Sequence, residues 1–383
     1  MVRDIKLKYV DFKNWPAEDF VDGTNSGFAI NSLKTGKPLI FKHGAGSKLY
    51  DFEKQSYLDL FLSDGALILG HGHRNLETAT KVAVERGLNF GGISRDEAGL
   101  ARFIKEKIPS VEKVGLFGSE FEAIHQAANL AKLSTGRKKI ITFVGCYSSQ
   151  FLSDQDVIYV PYGDSRAFLR ILSENKKDIA GIIIEPIPTY RVDIRIDEEF
   201  LNIVCLTSKD IGACFIADEI TCGWRVLEGS VCQAKNIDFD LICLGRVIGG
   251  GFSFGAVAGK KEVMNGLINS RLKVLPFSPV VARTALATLR LLDKRFYQTL
   301  NEKVMYLKTE LEKNQSDFRA YCQGSMLGFI LNNSLYDKDS YYNLWQKLLK
   351  AGILFQPDFR RPFYISSLHT KNDLKRIVEM FKK

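Results

Sequence analysis

The sequence contains no run of about 18 apolar residues, the length a membrane-crossing helix requires. Its opening, Met1-Val2-Arg3-Asp4-Ile5-Lys6-Leu7-Lys8, has no continuous apolar stretch either, so the expectation is a chain that neither spans a membrane nor is exported. Cysteine is scattered: Cys146, Cys205, Cys214, Cys222, Cys232, Cys243 and Cys322 make an odd count of seven, with none of the close pairing seen at metal sites. They lie in apolar strings such as Ile211-Gly212-Ala213-Cys214-Phe215-Ile216, which read as reduced core thiols of a cytoplasmic protein. Histidine is rarer still, with five in 383 residues. His71 and His73 have the spacing of a metal pair but no further ligand cluster, so a structural role and no metal are expected; His125 and His369 read as packing or solvated residues. No Ser-His-Asp arrangement can be argued from spacing. Dense basic clusters are also missing. The nearest, Arg137-Lys138-Lys139, reads as a solvated loop, which argues against nucleic-acid binding. No repeat, low-complexity tract or long linker is present.

What is present is the composition of an ordinary globular chain, 45% hydrophobic and 25% charged. The 53 basic residues outnumber the 44 acidic ones, a net charge of +9 that is dispersed and favours small anionic partners. Strand and helix signals alternate along the middle of the chain. Ile140–Val144, Val157–Val160, Gly181–Ile184 and Ala213–Ala217 read as buried parallel strands, with helices over Glu122–Ser134 and Phe200–Ile211 between them. Thr135-Gly136 is a plausible stop for the first helix. This pattern predicts an α/β fold. Residues 39 to 60 carry short apolar runs separated by turns, which predict an antiparallel meander. After Pro279, long helical patterns lead to Met326–Leu331 and Tyr364–Ser367. The two ends are expected to meet as a smaller lobe.

Several strings occur in an order that identifies the chain as resembling the class III aminotransferases, closest in pattern to the glutamate-1-semialdehyde aminomutases. They are Leu49-Tyr50-Asp51 with Tyr57-Leu58-Asp59, Leu67-Ile68-Leu69-Gly70-His71-Gly72-His73, Thr135-Gly136-Arg137 and Gly145-Cys146-Tyr147. Ile184-Glu185-Pro186, Ala217-Asp218-Glu219, Leu244-Gly245 with Ile248-Gly249-Gly250-Gly251, Gly255-Ala256-Val257-Ala258-Gly259 and Ile365-Ser366-Ser367-Leu368-His369-Thr370 follow. The resemblance implies the fold type I architecture of pyridoxal-phosphate (PLP) transferases: a large domain over residues 60–275 with a mainly parallel sheet, and a smaller α+β lobe from 1–59 and 276–383. It implies PLP or its pyridoxamine form (PMP) as cofactor, a small amino, keto or anionic substrate, and a homodimer. Asp218 would pair with the cofactor's ring nitrogen, Ile220 would pack on one ring face and Tyr147 would stack on the other.

The departures fall on the same site. Arg246 stands where the family has the Schiff-base lysine, and a guanidinium, protonated below about pH 12, does not form that imine. Ser119-Glu120-Phe121 replaces the family's phosphate-cradling Ser-Gly-Thr, setting a carboxylate at a helix N-terminus. Ser148 replaces a histidine, and Val274 a phosphate-binding threonine. The aminomutases' arginine-bearing substrate segment reads here as Ser26-Gly27-Phe28-Ala29, while Arg361, beside Arg360, replaces a glutamate. Three readings stay open: a PLP or PMP enzyme working without the usual imine, a catalytically silent homologue serving as a structural or regulatory partner, or an enzyme binding an anionic ligand through Arg246 and Arg361. Arg246 itself is either natural divergence, which the joint changes favour, or a laboratory substitution.

Overall fold

The computed structural model describes residues 39–190, 197–269, 276–313, 318–331 and 338–382. Its first strands, β1 (Phe41–Ala45), β2 (Lys48–Asp51) and β3 (Ser56–Asp59), form the expected antiparallel meander. Helices α1 (Arg74–Arg86) and α2 (Arg95–Lys107) follow, the second opened by a capping box in which the Ser94 and Glu97 side chains each accept the other's backbone N–H.

The central sheet is built from β4 (Lys113–Phe117), β5 (Lys139–Val144), β6 (Val157–Pro161), β7 (Ile179–Ile184), β8 (Cys214–Glu219), β9 (Leu241–Gly245) and β10 (Gly255–Gly259). Their spatial order is β4-β10-β9-β8-β7-β5-β6. β10 alone runs against its neighbours; the ladder from β9 to β6 is parallel. The crossovers are α3 (Glu120–Thr135), α4 (Ser165–Asn175) and α5 (Glu198–Ile211). The helix at Glu122–Ser134 thus begins two residues earlier than its apolar pattern, because Ser119 caps it, and ends at Gly136 with φ 67°.

Both faces of the sheet are covered, which is why its strands read as continuous apolar runs rather than alternating ones. Ile141, Phe143, Ile182 and Phe215 pack with Phe168 of α4 and Phe200 of α5 on one face. Ile140, Ile183, Ile216 and Cys243 pack with Ala123, Ala127 and Ala131 of α3 on the other.

Beyond the sheet come one-turn helices α6 (Val231–Ala234), α7 (Lys261–Met264) and α8 (Gly266–Asn269), then α9 (Pro279–Leu291) and α10 (Lys294–Glu312). α9 lies on α1 and α2, tied by Thr284 to Thr80 at 2.9 Å and by Arg283 to Asp96 at 3.2 Å. The last elements are β11 (Phe318–Gln323), β12 (Met326–Leu331), α11 (Lys338–Lys350), β13 (Ile353–Leu354), β14 (Phe363–Tyr364) and α12 (Lys371–Lys382). β11, β12 and β14 make a third sheet, while β13 crosses to pair in parallel with β3. Chain segments far apart in sequence thus share one sheet. Among the described residues, no helix is long and apolar enough to cross a membrane.

Candidate functional site

The carboxyl ends of β4, β5, β7, β8 and β9 face one side of the sheet, where parallel α/β sheets gather ligand-binding loops. Five short connections put their first residues there. Asp218 is the penultimate residue of β8 and is fully buried; its Oδ2 accepts the Ser148 N–H at 2.9 Å and its Oδ1 the Ile220 N–H at 3.3 Å. Burial pushes its carboxyl up to about 6, against the pull of those two N–H groups. Glu185, just past β7, takes the N–H of Tyr147 at 2.8 Å and of Thr189 at 3.0 Å, together with the hydroxyls of Thr189 and Thr221. Burial first, and the Asp218 charge second, raise it to about 8.

Arg246 follows β9 with φ 49°, a left-handed conformation that non-glycine residues resist. Glu120, the first residue of α3, holds it there from three directions: Oε1 accepts both the Arg246 backbone N–H and Nε at 2.9 Å, and Oε2 accepts Nη2 at 2.9 Å. Nη1 donates to the backbone carbonyl of Asp64 at 2.7 Å and to its carboxylate. The guanidinium lies 4.7 Å from the centre of the Tyr147 ring, whose hydroxyl donates to Glu120. Burial disfavours the charge on Arg246, but Asp64 and Glu120 outweigh it and hold the group firmly protonated. The same surroundings, burial foremost, keep the Tyr147 hydroxyl protonated.

The remaining residues singled out from sequence are distributed around this core. Ser119 caps α3 by accepting the Glu122 N–H at 3.1 Å, and the Glu122 carboxylate returns to the Gly118 N–H at 3.1 Å. Phe121 is half exposed and packs on His125 and Phe151. Ile220 is buried beside Gly245, where an added Cβ would meet its Cγ2 at 3.2 Å and the Glu120 Cγ at 2.9 Å. Arg361 is buried, donating to the Asp64 carboxylate at 2.5 Å and stacking 4.5 Å from the Tyr190 ring centre. Its neighbour Arg360 instead turns outward to Asp358 at 2.7 Å. Ser26 and Val274 lie outside the described residues. His71 bonds Asp59 at 2.7 Å, and among the described residues no cluster of three or more His, Cys, Asp or Glu is placed to hold a metal.

Asp64 was not singled out in the sequence. It belongs to a run in which Leu62, Ser63 and Asp64 have φ of 51°, 54° and 54°, followed by Gly65 at 84°. Consecutive left-handed residues cost about 1–2 kcal/mol each, so the surroundings must hold the turn in place. Asp59 does part of this by accepting the N–H groups of Phe61 and Leu62 at 2.9 Å. The only local signal is the Asp64-Gly65 dipeptide, a turn marker that says nothing of Arg246, 182 positions away.

Three comparisons bear on this arrangement. The family described as Aminotransferase class-III matches residues 31–154 and 155–383. A glutamate-1-semialdehyde 2,1-aminomutase of Staphylococcus carnosus is 31% identical over 390 residues, covering 90% of each chain. Among solved structures, an omega-transaminase from Sphaerobacter thermophilus superimposes with a TM-score of 0.88 at 21% identity, over 96% of this chain and 94% of the other. The PLP internal aldimine form of the Sphingopyxis FumI protein does so at 0.87 and 20% identity, over 96% and 93%. At those identities the two structures speak for the fold alone.

Proposed function

The chain belongs to the class III aminotransferases, a family whose cofactor is pyridoxal or pyridoxamine phosphate, and on that premise we propose that it is a member whose site has closed on itself. In this reading it binds a small amino, keto or other carboxylate compound and does not transaminate through an imine with its own side chain. One observation carries it: Arg246, at the position expected of the Schiff-base lysine, lies across Tyr147 and is locked to Glu120 and Asp64.

The residues present do not fit the cofactor in this arrangement. The Tyr147 ring, expected to stack on the cofactor, carries the Arg246 guanidinium over it. Glu120 and Ile220 both lie against Gly245, within 2.9 and 3.2 Å of where its Cβ would stand. The start of α3, where a phosphate would seek free N–H groups, has Ser119 and Glu122 as internal caps and carries the charges of Glu120 and Glu122. No step is therefore derived through the cofactor. Closing an ion pair over Tyr147 excludes water and keeps Arg246 cationic, so what this chain's residues do here is hold and orient charge rather than move protons.

A second reading, a PMP-dependent enzyme that needs no lysine, is favoured by Asp218, which stays buried with its carboxylate held by two backbone N–H groups, as a partner for a protonated ring nitrogen should be. PMP would supply a preformed amine. A homodimer is part of the proposal in either case: Leu88, Phe90 and Ile93 lie exposed within six residues between α1 and α2, an apolar surface suited to a second copy.

The test is the near-visible absorbance of the purified protein before and after addition of PLP or PMP, followed by borohydride reduction and peptide mass mapping. The expected result is no retained cofactor and no stoichiometric adduct on any lysine of the chain. PMP retained without an adduct selects the second reading. A stoichiometric reducible PLP adduct on any lysine of the wild type would overturn both. R246K alone is expected to restore little, because Glu120 still lies against Gly245, whereas R246K with E120G is expected to regain an absorbing adduct.

A further inference from the structure

Asp64 reaches into the site from outside the sheet and behaves as a ligand would. Both its oxygens are engaged by different donors. Oδ2 accepts from Arg246 Nη1 and, at 2.5 Å, from Arg361 Nη2; Oδ1 accepts from Gln356 Nε2 at 3.1 Å and faces the Tyr364 hydroxyl at 3.5 Å. Those donors come from the turn after β9, from the segment between β13 and β14, and from β14 itself, so the receptor is assembled by the fold rather than by the Asp64 turn. The turn that delivers the carboxylate is the left-handed run Leu62–Asp64, a conformation that non-glycine residues resist.

A third arginine adds an independent observation. Arg225 is fully buried, its guanidinium 5.0 Å from the centre of the same Tyr364 ring whose hydroxyl faces Asp64. Nη1 donates to Ser325 at 2.7 Å, but Nε and Nη2 have no partner among the described residues. A buried cation over Tyr364 with two idle donors marks a region built for more negative charge than it holds.

We propose that Asp64 is an internal occupant of a carboxylate-binding site, and that a small carboxylate-bearing compound displaces it, taking Arg246 and Arg361 on one oxygen and Gln356 on the other. This deepens the reading of a site closed to pyridoxal chemistry, on which it rests. Carboxylate is the class indicated because the group now seated is planar, with each oxygen separately satisfied. A phosphate dianion would bring a third oxygen and a second charge toward Glu120, which already lies on Arg246.

The experiment removes the internal occupant and offers it back in solution. Asp64→Gly suits this because glycine adopts a φ of 54° without strain, so the turn keeps its shape while the carboxylate is lost. Thermal midpoints and calorimetric binding are measured for the wild type and D64G with acetate, succinate and inorganic phosphate, and with chloride at matched ionic strength. The expected result is that D64G binds acetate and succinate about tenfold or more tightly than the wild type and is stabilised by them, the gain vanishing in D64G/R361M. An equal response to chloride, a preference for phosphate, or no binding overturns the proposal. Should D64G not fold, D64N takes its place with the same arms, since asparagine also tolerates this backbone and cannot neutralise two arginines. Cofactor uptake by the wild type would sink the closed-site reading; silence of D64G toward carboxylates while the wild type still refuses PLP sinks only this inference.

Discussion

At the scale of single residues, the interplay of burial and charge sets most of what can be measured. Glu120 and Asp64 share a buried guanidinium, and removing Glu120 leaves its charge only partly compensated. Glu120→Ala is therefore expected to lose about 3 kcal/mol of stability in urea denaturation, and R246M with E120A together to lose much less, because no unpaired charge remains. His369 gives a pH dependence. It is fully buried near the start of α12, accepts the Ser366 N–H at Nδ1, and burial lowers its pKa to about 4. The folded protein thus keeps it neutral while the unfolded chain takes up a proton below about 6.5. The contribution of His369 should be intact above that pH and be lost at about 1.4 kcal/mol per unit as pH drops toward 4, a component of the acid-range slope that is expected to be missing in melts of H369N. Arg246, Glu120, Tyr147 and Asp218 were legible in the sequence because each lies in a recognisable string beside a strand end. Asp64 and Arg225 were not, since nothing in local spacing reports a contact across 182 residues or a hydrogen-bonding vacancy.

At the scale of elements, the most exacting junction is where β10 passes beneath the start of α3. A Cβ at Gly255 would stand 2.1 Å from the Ser119 carbonyl oxygen, a backbone atom that cannot yield without moving the helix cap and Glu120 with it. Gly255→Ala is expected to cost about 2–4 kcal/mol, read by chemical denaturation, and to loosen the Glu120–Arg246 pair. The long strands and helices were legible because both faces of the sheet are buried, which writes unbroken apolar runs such as Ile179–Ile184 into the sequence. The antiparallel sense of β10 was not, because Gly255–Gly259 is apolar on both faces like its parallel neighbours. β13 and β14, two residues each, are too short for any period to appear.

At the scale of the whole molecule, the α/β architecture followed from alternation of elements, and the meeting of the chain's two ends was expected too, whereas the pairing of β13 with β3 that joins them has a register no local pattern encodes. Assembly with a second copy is open to direct measurement: sedimentation should give a dimer for the wild type and a monomer, or a dimer weakened about tenfold or more, for I93D, which sets a charge on the most exposed apolar side chain of the 88–93 segment. The pairing of β13 with β3 bears on how the protein is made. β3 emerges early in synthesis, yet its outer edge waits for Ile353 and Leu354 before its hydrogen bonds are filled, with Leu58 donating to Gly352 and Leu60 to Leu354. Until Ile353 and Leu354 have been made, the meander offers that edge to any passing strand, so chaperones that shield β-edges should matter to the yield of the nascent chain.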